Sequence, residues 1–200
     1  MTRIKLCGLK REFDILWANE LAPDYIGFVF VETSKRYVDF DKAMELRSVL
    51  DKNIISVGVF ADEAPNRIAE LVNRGVIGTV QLHGSEDNEY ISVLRSYVDC
   101  PIIKAFRVSS TADINEAEKS RADFVMFDSG GGTGKAFDHS LIKSFNRDFF
   151  LAGGIDAENV RNCIEKYRPY AVDVSSALET DGVKDKGKMI RFVQEARKGD

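Results

Sequence analysis

Short apolar segments rich in β-branched and aromatic residues recur along the whole chain, and stretches with helical spacing separate them. This alternation is typical of parallel βαβ units. Several segments are apolar nearly throughout, as expected for strands of a parallel sheet that helices cover. The pattern predicts eight strands, at Ile4–Cys7, Tyr25–Phe30, Ile54–Phe60, Gly78–Leu82, Ile102–Phe106, Phe124–Phe127, Phe149–Ala152 and Ala171–Val174.

Apolar residues repeat at helical spacing between these segments, and residues that start or stop helices bound the repeats. Pro65 and Gly75 bound one repeat, and Asp156, a candidate N-cap, and Pro169 bound another. A charged stretch from Lys186 to Lys198 predicts a closing surface helix. The apolar stripes expected to face the sheet are Ile68, Leu71 and Val72; Tyr90, Val93, Leu94 and Tyr97; Val160, Cys163, Ile164 and Tyr167; and Ile190 and Val193.

The chain has 200 residues, of which 44% are hydrophobic and 30% charged, and no linker-like or low-complexity segment divides it. A single α/β domain over residues 1–200 is therefore expected. Eight βα units of roughly 25 residues fit a (β/α)8 or TIM barrel, and an open doubly wound sheet is the alternative. In both folds, ligands bind at the C-terminal ends of the strands, so the residues that follow each strand are the candidate site.

Charge and composition exclude several classes of function. The net charge of −4 and the pI of about 5.4 argue against a surface built to bind nucleic acid or an anionic membrane. No apolar run is long enough to cross a bilayer and no signal-peptide segment is apparent, so a cytoplasmic protein is expected. The three cysteines are far apart, which favours reduced thiols, and two histidines are too few for a histidine-rich metal site.

Two turns that follow the last strands favour a phosphorylated small-molecule ligand. Gly153–Gly154 leads from the seventh strand towards a helix, where backbone N–H groups could face an anion. A tight turn that needs positive φ would account for the same glycines. Ser175–Ser176 follows the eighth strand. Because the loops after strands seven and eight form the recurrent phosphate site of these barrels, both turns are predicted to bind phosphate.

Cys7 and Asp128 are the candidate acid/base pair. Cys7 ends the first predicted strand and Asp128 comes directly after the sixth, and partial burial of Asp128 would raise its pKa and keep a fraction protonated. Cys163 lies on an apolar helix stripe and Cys100 precedes Pro101 at the start of a strand, so both are expected to be structural. A solvated or capping role is the alternative for Asp128.

Other polar residues follow the remaining strands. Arg36 could bind a carboxylate through two hydrogen bonds, although a single arginine at such a position is often only a surface residue. His83 is expected to have a neutral polar role beside Gln81. The glycine-rich loop Ser129–Lys135 could be a lid, an anion-contacting loop or a plain connection.

In these residues the chain resembles the phosphoribosylanthranilate isomerase family. The resemblance extends in order over nearly the whole chain and rests on seven motifs. They are Lys5–Leu9; Tyr25–Phe30 with Ser34–Val38; Val57–Phe60; Gln81–Gly84; Gly131–Gly134 with Phe137–Asp138; Leu151–Ile155; and Val172–Ser176. It implies a TIM barrel that isomerises N-(5-phosphoribosyl)anthranilate to 1-(2-carboxyphenylamino)-1-deoxyribulose 5-phosphate in tryptophan biosynthesis, without a metal or organic cofactor.

The resemblance also implies a role for each candidate residue. Cys7 would be the general base and Asp128 the general acid of an Amadori rearrangement. Arg36 would bind the anthranilate carboxylate, and Asp173 would lie near the ribose hydroxyls or the anthranilate amine. Gln81 and His83 would line the floor, while Gly153, Gly154, Ser175 and Ser176 would hold the phosphate.

The chain departs from the family pattern at Ala177–Leu178, where Gly-Val is usual, and at His139, where Trp is common.

Another sugar-phosphate isomerase or epimerase on the same barrel is the alternative enzyme, although the epimerases of this kind use histidine metal ligands. A barrel that only binds a phosphorylated metabolite is the non-enzymatic alternative, but it would be expected to lack Cys7 or Asp128. A monomer and a homodimer are both compatible with the sequence.

Overall fold

Eight parallel strands close into a barrel in the computed structural model, which describes residues 1–128, 142 and 145–199. Neighbouring strands follow chain order, and the eighth strand pairs with the first in a register that places Lys5 opposite Asp173. The (β/α)8 prediction is therefore confirmed, and the open sheet is excluded. The strands are β1 Arg3–Cys7, β2 Tyr25–Val29, β3 Ile55–Phe60, β4 Thr79–Leu82, β5 Ile102–Arg107, β6 Phe124–Asp128, β7 Phe149–Leu151 and β8 Ala171–Val174.

Seven α-helices lie in the described part of the chain. Four of them, the third, fourth, sixth and seventh, coincide with predicted helices, whereas the first, second and fifth were not identified from the sequence. The second and fifth helices each bury only two side chains, so their apolar spacing is weak. The helices are α1 Glu12–Leu21, α2 Phe40–Ser48, α3 Pro65–Asn73, α4 Asn88–Arg95, α5 Thr111–Glu118, α6 Val160–Tyr167 and α7 Lys186–Arg197.

The apolar stripe predicted for α4 is partly wrong. Val93 is 46% exposed and Tyr97 is 51% exposed, whereas Ile91 and Leu94 are the buried residues of this helix. The helix ends at Arg95, so Tyr97 lies beyond it and cannot continue the stripe. The repeat of apolar residues therefore predicted the helix and the burial of Leu94 correctly, but it placed Val93 and Tyr97 on the packed face wrongly.

Several predicted boundaries differ from the structure by a residue or more. Asp156 does not cap α6, because the helix begins only at Val160 and its N-cap position is Asn159. The Asp156 carboxylate instead accepts hydrogen bonds from the backbone N–H groups of Glu158 and Asn159, and so stabilises the turn before the helix. The second and seventh strands end one residue earlier than predicted, and the third and fourth begin one residue later.

Aromatic side chains fill the N-terminal end of the barrel. The Tyr25 and Phe150 rings pack edge to face at 5.6 Å, and Phe124 stacks on Tyr170 at 4.6 Å. Together with Val57, these residues belong to the core inside the barrel. The separate core between the strands and the helices includes Phe28 and Phe127. Because apolar side chains occupy the N-terminal end, the polar interior groups lie towards the C-terminal end.

The chain after β8 was incompletely predicted. A short 3-10 turn, Ser176–Leu178, leads into the hairpin of β9 (Glu179–Thr180) and β10 (Val183–Lys184), which precedes α7. The α7 helix buries Met189, Phe192, Val193 and Ala196, so Val193 of the predicted pair is buried, whereas Ile190 is only partly buried. The hairpin places Glu179 and Lys184 beside the C-terminal end of the barrel.

Candidate active site

A cavity of about 630 Å3 opens at the C-terminal ends of the strands. A volume of this size is typical of small-molecule sites. All ten residues predicted to form the site line it, namely Cys7, Arg36, Gln81, His83, Asp128, Gly153, Gly154, Asp173, Ser175 and Ser176. Residues that are far apart in the sequence therefore surround a single space.

Cys7 is the last residue of β1, and its thiol faces the cavity from a buried position. Gly27, its register partner on β2, makes room for the sulfur, since a Cβ atom on Gly27 would lie 2.7 Å from Cys7 Sγ. Burial raises the pKa of the Cys7 thiol, whereas the nearby positive charges of Lys5 and Lys184 act to lower it. Burial and positive charge therefore have opposite effects on the pKa of this thiol, and burial has the larger effect.

Beneath Cys7 lies a buried ion pair. Lys5 precedes Cys7 by two residues on β1 and is fully buried, and its Nζ donates to Asp173 Oδ1 at 2.7 Å. Burial alone would lower the pKa of Lys5, but the charges of Asp173 and Cys7 outweigh burial and raise it. The lysine is therefore an ammonium ion, and it is within interaction range of the Cys7 sulfur.

Asp128 is the last residue of β6, and His83 lies beside it. The His83 Nε2 atom is 3.3 Å from Asp128 Oδ2, and Gln81 Nε2 is 3.1 Å from His83 Nδ1. Gln81, His83 and Asp128 therefore form a continuous chain of side-chain contacts at the mouth of the barrel. Gln81 and His83 thus lie where they can orient the Asp128 carboxyl group.

The Gly153–Gly154 turn follows β7 and faces the cavity. Both glycines have positive φ, 78° and 69°, so the turn does need the backbone freedom of glycine. Neither N–H group donates to another residue within the described part of the chain. The Asn159 side chain donates to the Gly154 carbonyl at 2.8 Å and fixes the turn. Two backbone donors therefore remain for an anion.

Ser175 and Ser176 follow β8 on the same side of the cavity. The Ser175 hydroxyl donates to the Cys7 carbonyl at 3.0 Å, which joins this turn to the end of β1. Lys184 lies behind the turn and donates to the Ser175 carbonyl at 2.9 Å. Burial lowers the pKa of Lys184, although its hydrogen bond and ion pair with Glu179 oppose this effect.

Arg36 is held by Glu179. Arg36 Nε donates to Glu179 Oε1 at 2.6 Å and Nη2 donates to Oε2 at 2.9 Å, while Lys184 donates to Oε1 at 2.7 Å. Burial opposes ionisation of Glu179, but its bonds to Arg36 and Lys184 prevail and lower its pKa. The guanidinium is thereby fixed on one edge, and its Nη1 side points away from Glu179.

Three charged residues of this arrangement were missed in the sequence. Lys5 interrupts an apolar strand two residues before Cys7, and that spacing places both side chains on one face, so a signal was present. Glu179 and Lys184 lie in a segment without periodicity, and only the hairpin brings them to Arg36. The predicted loop Ser129–Lys135 lies outside the described residues.

Taken together, the cavity offers a thiol, a carboxyl group, a partly free guanidinium and backbone donors around one ligand-sized space. The guanidinium and the backbone donors can bind two anionic ends of a small molecule, and the thiol and the carboxyl group can exchange protons with the part between those ends. Within the described residues, no cluster of His, Cys, Asp and Glu could hold a metal ion. No helix in that part of the chain could span a membrane.

Comparison with known proteins agrees with this geometry. The family model described as N-(5'phosphoribosyl)anthranilate (PRA) isomerase matches residues 4–195. The N-(5'-phosphoribosyl)anthranilate isomerase of Endomicrobium trichonymphae is 45% identical over 199 residues, covering 97% of this chain and 98% of the relative.

Solved structures give the same result. The phosphoribosyl anthranilate isomerase of Thermotoga maritima superposes with a TM-score of 0.91 at 36% identity, covering 99% of this chain and 100% of that one. A phosphoribosyl anthranilate isomerase in complex with reduced 1-(o-carboxyphenylamino)-1-deoxyribulose 5-phosphate superposes at 0.89 with 35% identity and the same coverage. The chain therefore belongs to the N-(5'-phosphoribosyl)anthranilate isomerase family.

Proposed function

We propose that Cys7 is the general base and Asp128 the general acid in the isomerisation of N-(5-phosphoribosyl)anthranilate to 1-(2-carboxyphenylamino)-1-deoxyribulose 5-phosphate, a step of tryptophan biosynthesis. The observation that carries the proposal is that a buried thiol and a partly buried carboxyl group line one cavity together with two candidate anion sites. An Amadori rearrangement needs an acid and a base on one substrate and no external oxidant or reductant, because C1 is reduced as C2 is oxidised.

The first proton transfer opens the sugar ring. Asp128 donates its proton to the furanose ring oxygen while the anthranilate nitrogen forms the C1–N double bond of a Schiff base. His83 and Gln81 orient the carboxyl group for this transfer, since they form a continuous chain of contacts to it. Removal of either side chain would leave Asp128 in place but less well directed.

The second proton transfer forms the enolamine. The Cys7 thiolate removes the proton from C2, and the electron pair of that C–H bond forms the C1–C2 double bond as the nitrogen is neutralised. Tautomerisation then gives the ketose. Cys7 and Asp128 lie on β1 and β6, three strands apart in the closed barrel, so they approach the substrate from different sides. One group can therefore act at the ring oxygen and the other at C2.

The two ends of the substrate bind to different groups at the mouth. The phosphate accepts from the backbone N–H groups of Gly153 and Gly154 and meets the Ser175–Ser176 turn. The anthranilate carboxylate binds the Nη1 side of Arg36, because Glu179 occupies the Nε and Nη2 edge. Asp173 lies near the ribose hydroxyls or the amine, as the resemblance implied.

The test is a fluorescence assay with phosphoribosylanthranilate generated in situ. We expect decay of the substrate signal with the wild-type protein, and a fall in kcat of at least about 100-fold for both Cys7→Ala and Asp128→Asn. Cys163→Ala is a matched control, because Cys163 is also a buried free thiol but lies on α6 away from the cavity. Near-wild-type turnover by either site variant would overturn the assignment of roles.

Another sugar-phosphate isomerase or epimerase on this barrel is not favoured, since the matching family model and relatives carry the anthranilate substrate in their names.

Residues 1–200 form one functional domain in this proposal, supported by contacts of α7 with α1 and α6. The proposed location is the cytoplasm, which suits three free cysteines. A monomer or a homodimer remains the proposed assembly, and light scattering would decide between them.

A further inference from the structure

We propose that the buried ammonium ion of Lys5 is a positioning residue for the reaction, and that it holds the thiolate form of Cys7 beneath the substrate while also binding Asp173. The inference rests on the proposed role of Cys7 as the base. It assigns a function to Lys5, for which the sequence predicted none.

The placement of Lys5 carries the argument. Successive residues of a strand point to opposite faces, so Lys5 and Cys7 both point into the barrel. Lys5 has no exposed surface, and its one short contact is the 2.7 Å hydrogen bond from Nζ to Asp173 Oδ1. An ammonium carries three N–H donors, and a single bond to Asp173 leaves donors for the neighbouring sulfur.

A buried lysine is costly unless its charge has a partner. If a structural pair were all that this position required, the interior of the barrel could hold two apolar side chains, as it does around Tyr25 and Phe150. The chain instead places a cation two residues from the thiol. When Cys7 is a thiolate, Lys5 faces two anions, and after Cys7 takes a proton it faces only Asp173.

The other charged groups near Cys7 are accounted for. Lys184 on β10 is bound to Glu179 and to the Ser175 carbonyl, and Arg36 is bound to Glu179. Asp173 on β8 opposes formation of the thiolate, whereas Lys5 favours it more strongly than Asp173 opposes it. Lys5 is therefore the cation on which the thiolate chiefly depends.

The experiment measures the thiol directly. The rate of Cys7 alkylation by iodoacetamide is followed from about pH 6 to pH 10 by mass spectrometry of the Cys7 peptide, with the Cys100 and Cys163 peptides as references. For Lys5→Met we expect the midpoint of the titration to rise by about one pH unit, which means about tenfold less thiolate at a given lower pH. The double variant Lys5→Met/Asp173→Asn should also titrate above wild type, by a smaller amount.

A matched control comes from the second buried lysine of the barrel. Lys104 on β5 pairs with Glu86 at 2.8 Å and is buried, but it lies outside the cavity that contains Cys7. The variant Lys104→Met/Glu86→Gln removes an equivalent pair, and the Cys7 midpoint should not move. A movement equal to that of the Lys5 variants would show a general effect of lost packing and would overturn the proposal.

The double variant keeps the proposal open to refutation if Lys5→Met does not fold, because replacing both members of a buried ion pair is often tolerated. A wild-type midpoint in the folded double variant would mean that Lys5 only neutralises Asp173, and the proposal would be wrong. Alkylation requires no turnover. A wild-type protein that fails to convert phosphoribosylanthranilate would therefore refute the proposed function, while the titration would still decide the role of Lys5.

Discussion

The small space around the Cys7 sulfur gives a sharp test of its role. Gly27 on β2 has an ordinary strand conformation, so alanine can replace it without backbone strain. The added Cβ would lie 2.7 Å from Cys7 Sγ and 3.2 Å from Cys7 Cα. Comfortable contacts between such atoms are about 3.5–4.0 Å, so the sulfur must retreat by roughly 1 Å.

A displacement of this size should affect catalysis more than folding. A misplacement of about 1 Å can lower a rate by about 100-fold, which corresponds to about 2.7 kcal/mol in the activation free energy. Overpacking of a core costs typically about 1–3 kcal/mol, which a domain with a free energy of unfolding of about 5–15 kcal/mol can tolerate. We therefore expect Gly27→Ala to fold and to lose about 100-fold in kcat.

Gly58 on β3 provides the matched control. A Cβ atom there would also meet its nearest neighbours at 2.7 Å, but these are Ile77 and Phe60 in the outer core. Gly58→Ala should lose a similar free energy of unfolding, measured by urea denaturation, while kcat in the fluorescence assay stays within a few-fold of wild type.

A folded Gly27→Ala protein with wild-type kcat would refute the reasoning, because it would show that the position of the thiol does not limit the reaction. Equal losses of kcat in both glycine variants would also refute it. In that case overpacking of the barrel, and not displacement of Cys7, would explain the effect.

Further predictions concern the anion-binding side of the site. Arg36→Met should raise KM for the anthranilate-bearing substrate with a smaller change in kcat, and an unchanged KM would remove Arg36 from the carboxylate site. Glu179→Gln should lower the free energy of unfolding at pH 7 by about 1–3 kcal/mol, because it leaves the buried Lys184 without an anion. Since the pKa of Glu179 is lowered in the fold, its contribution is present above its unfolded pKa and lost as the pH falls through its folded pKa. Urea denaturation at pH 7 and at pH 4 should therefore show a smaller difference between wild type and Glu179→Gln at the lower pH, and an equal difference would contradict the assignment.

The barrel could be predicted from the sequence because its strands are buried on both faces and read as continuous apolar runs. Helices with a pronounced apolar stripe, such as α3 and α6, were also predictable. The α5 helix was not, because it buries only Ile114 and Ala117 and depends on its N-terminal hydrogen bonds. Its Asp113 carboxylate accepts from the backbone N–H groups of Ser109 and Ser110, a local feature that periodicity does not report.

The lining of the cavity was predictable where polar residues stand at the ends of strands, as Cys7 and Asp128 do. It was not predictable where long-range contacts assemble it. The ion pair of Arg36 with Glu179 joins residues from the second and the last βα units, and their spacing in the sequence carries no sign of it. A buried lysine such as Lys5 runs against the usual preference of lysine for the surface, so composition alone argues against its position.

The contacts of Lys184 connect two parts of the cavity wall. One almost fully buried ammonium binds both the carbonyl of Ser175, in the proposed phosphate turn, and the carboxylate of Glu179, which holds Arg36. Lys184 therefore links the proposed phosphate turn to the carboxylate that holds Arg36, the proposed carboxylate-binding residue. A ligand whose phosphate and carboxylate have the matching separation gains both interactions, whereas a shorter or longer dianion gains only one. In the proposed function, the protein therefore discriminates among dianions by the separation of their two charged groups.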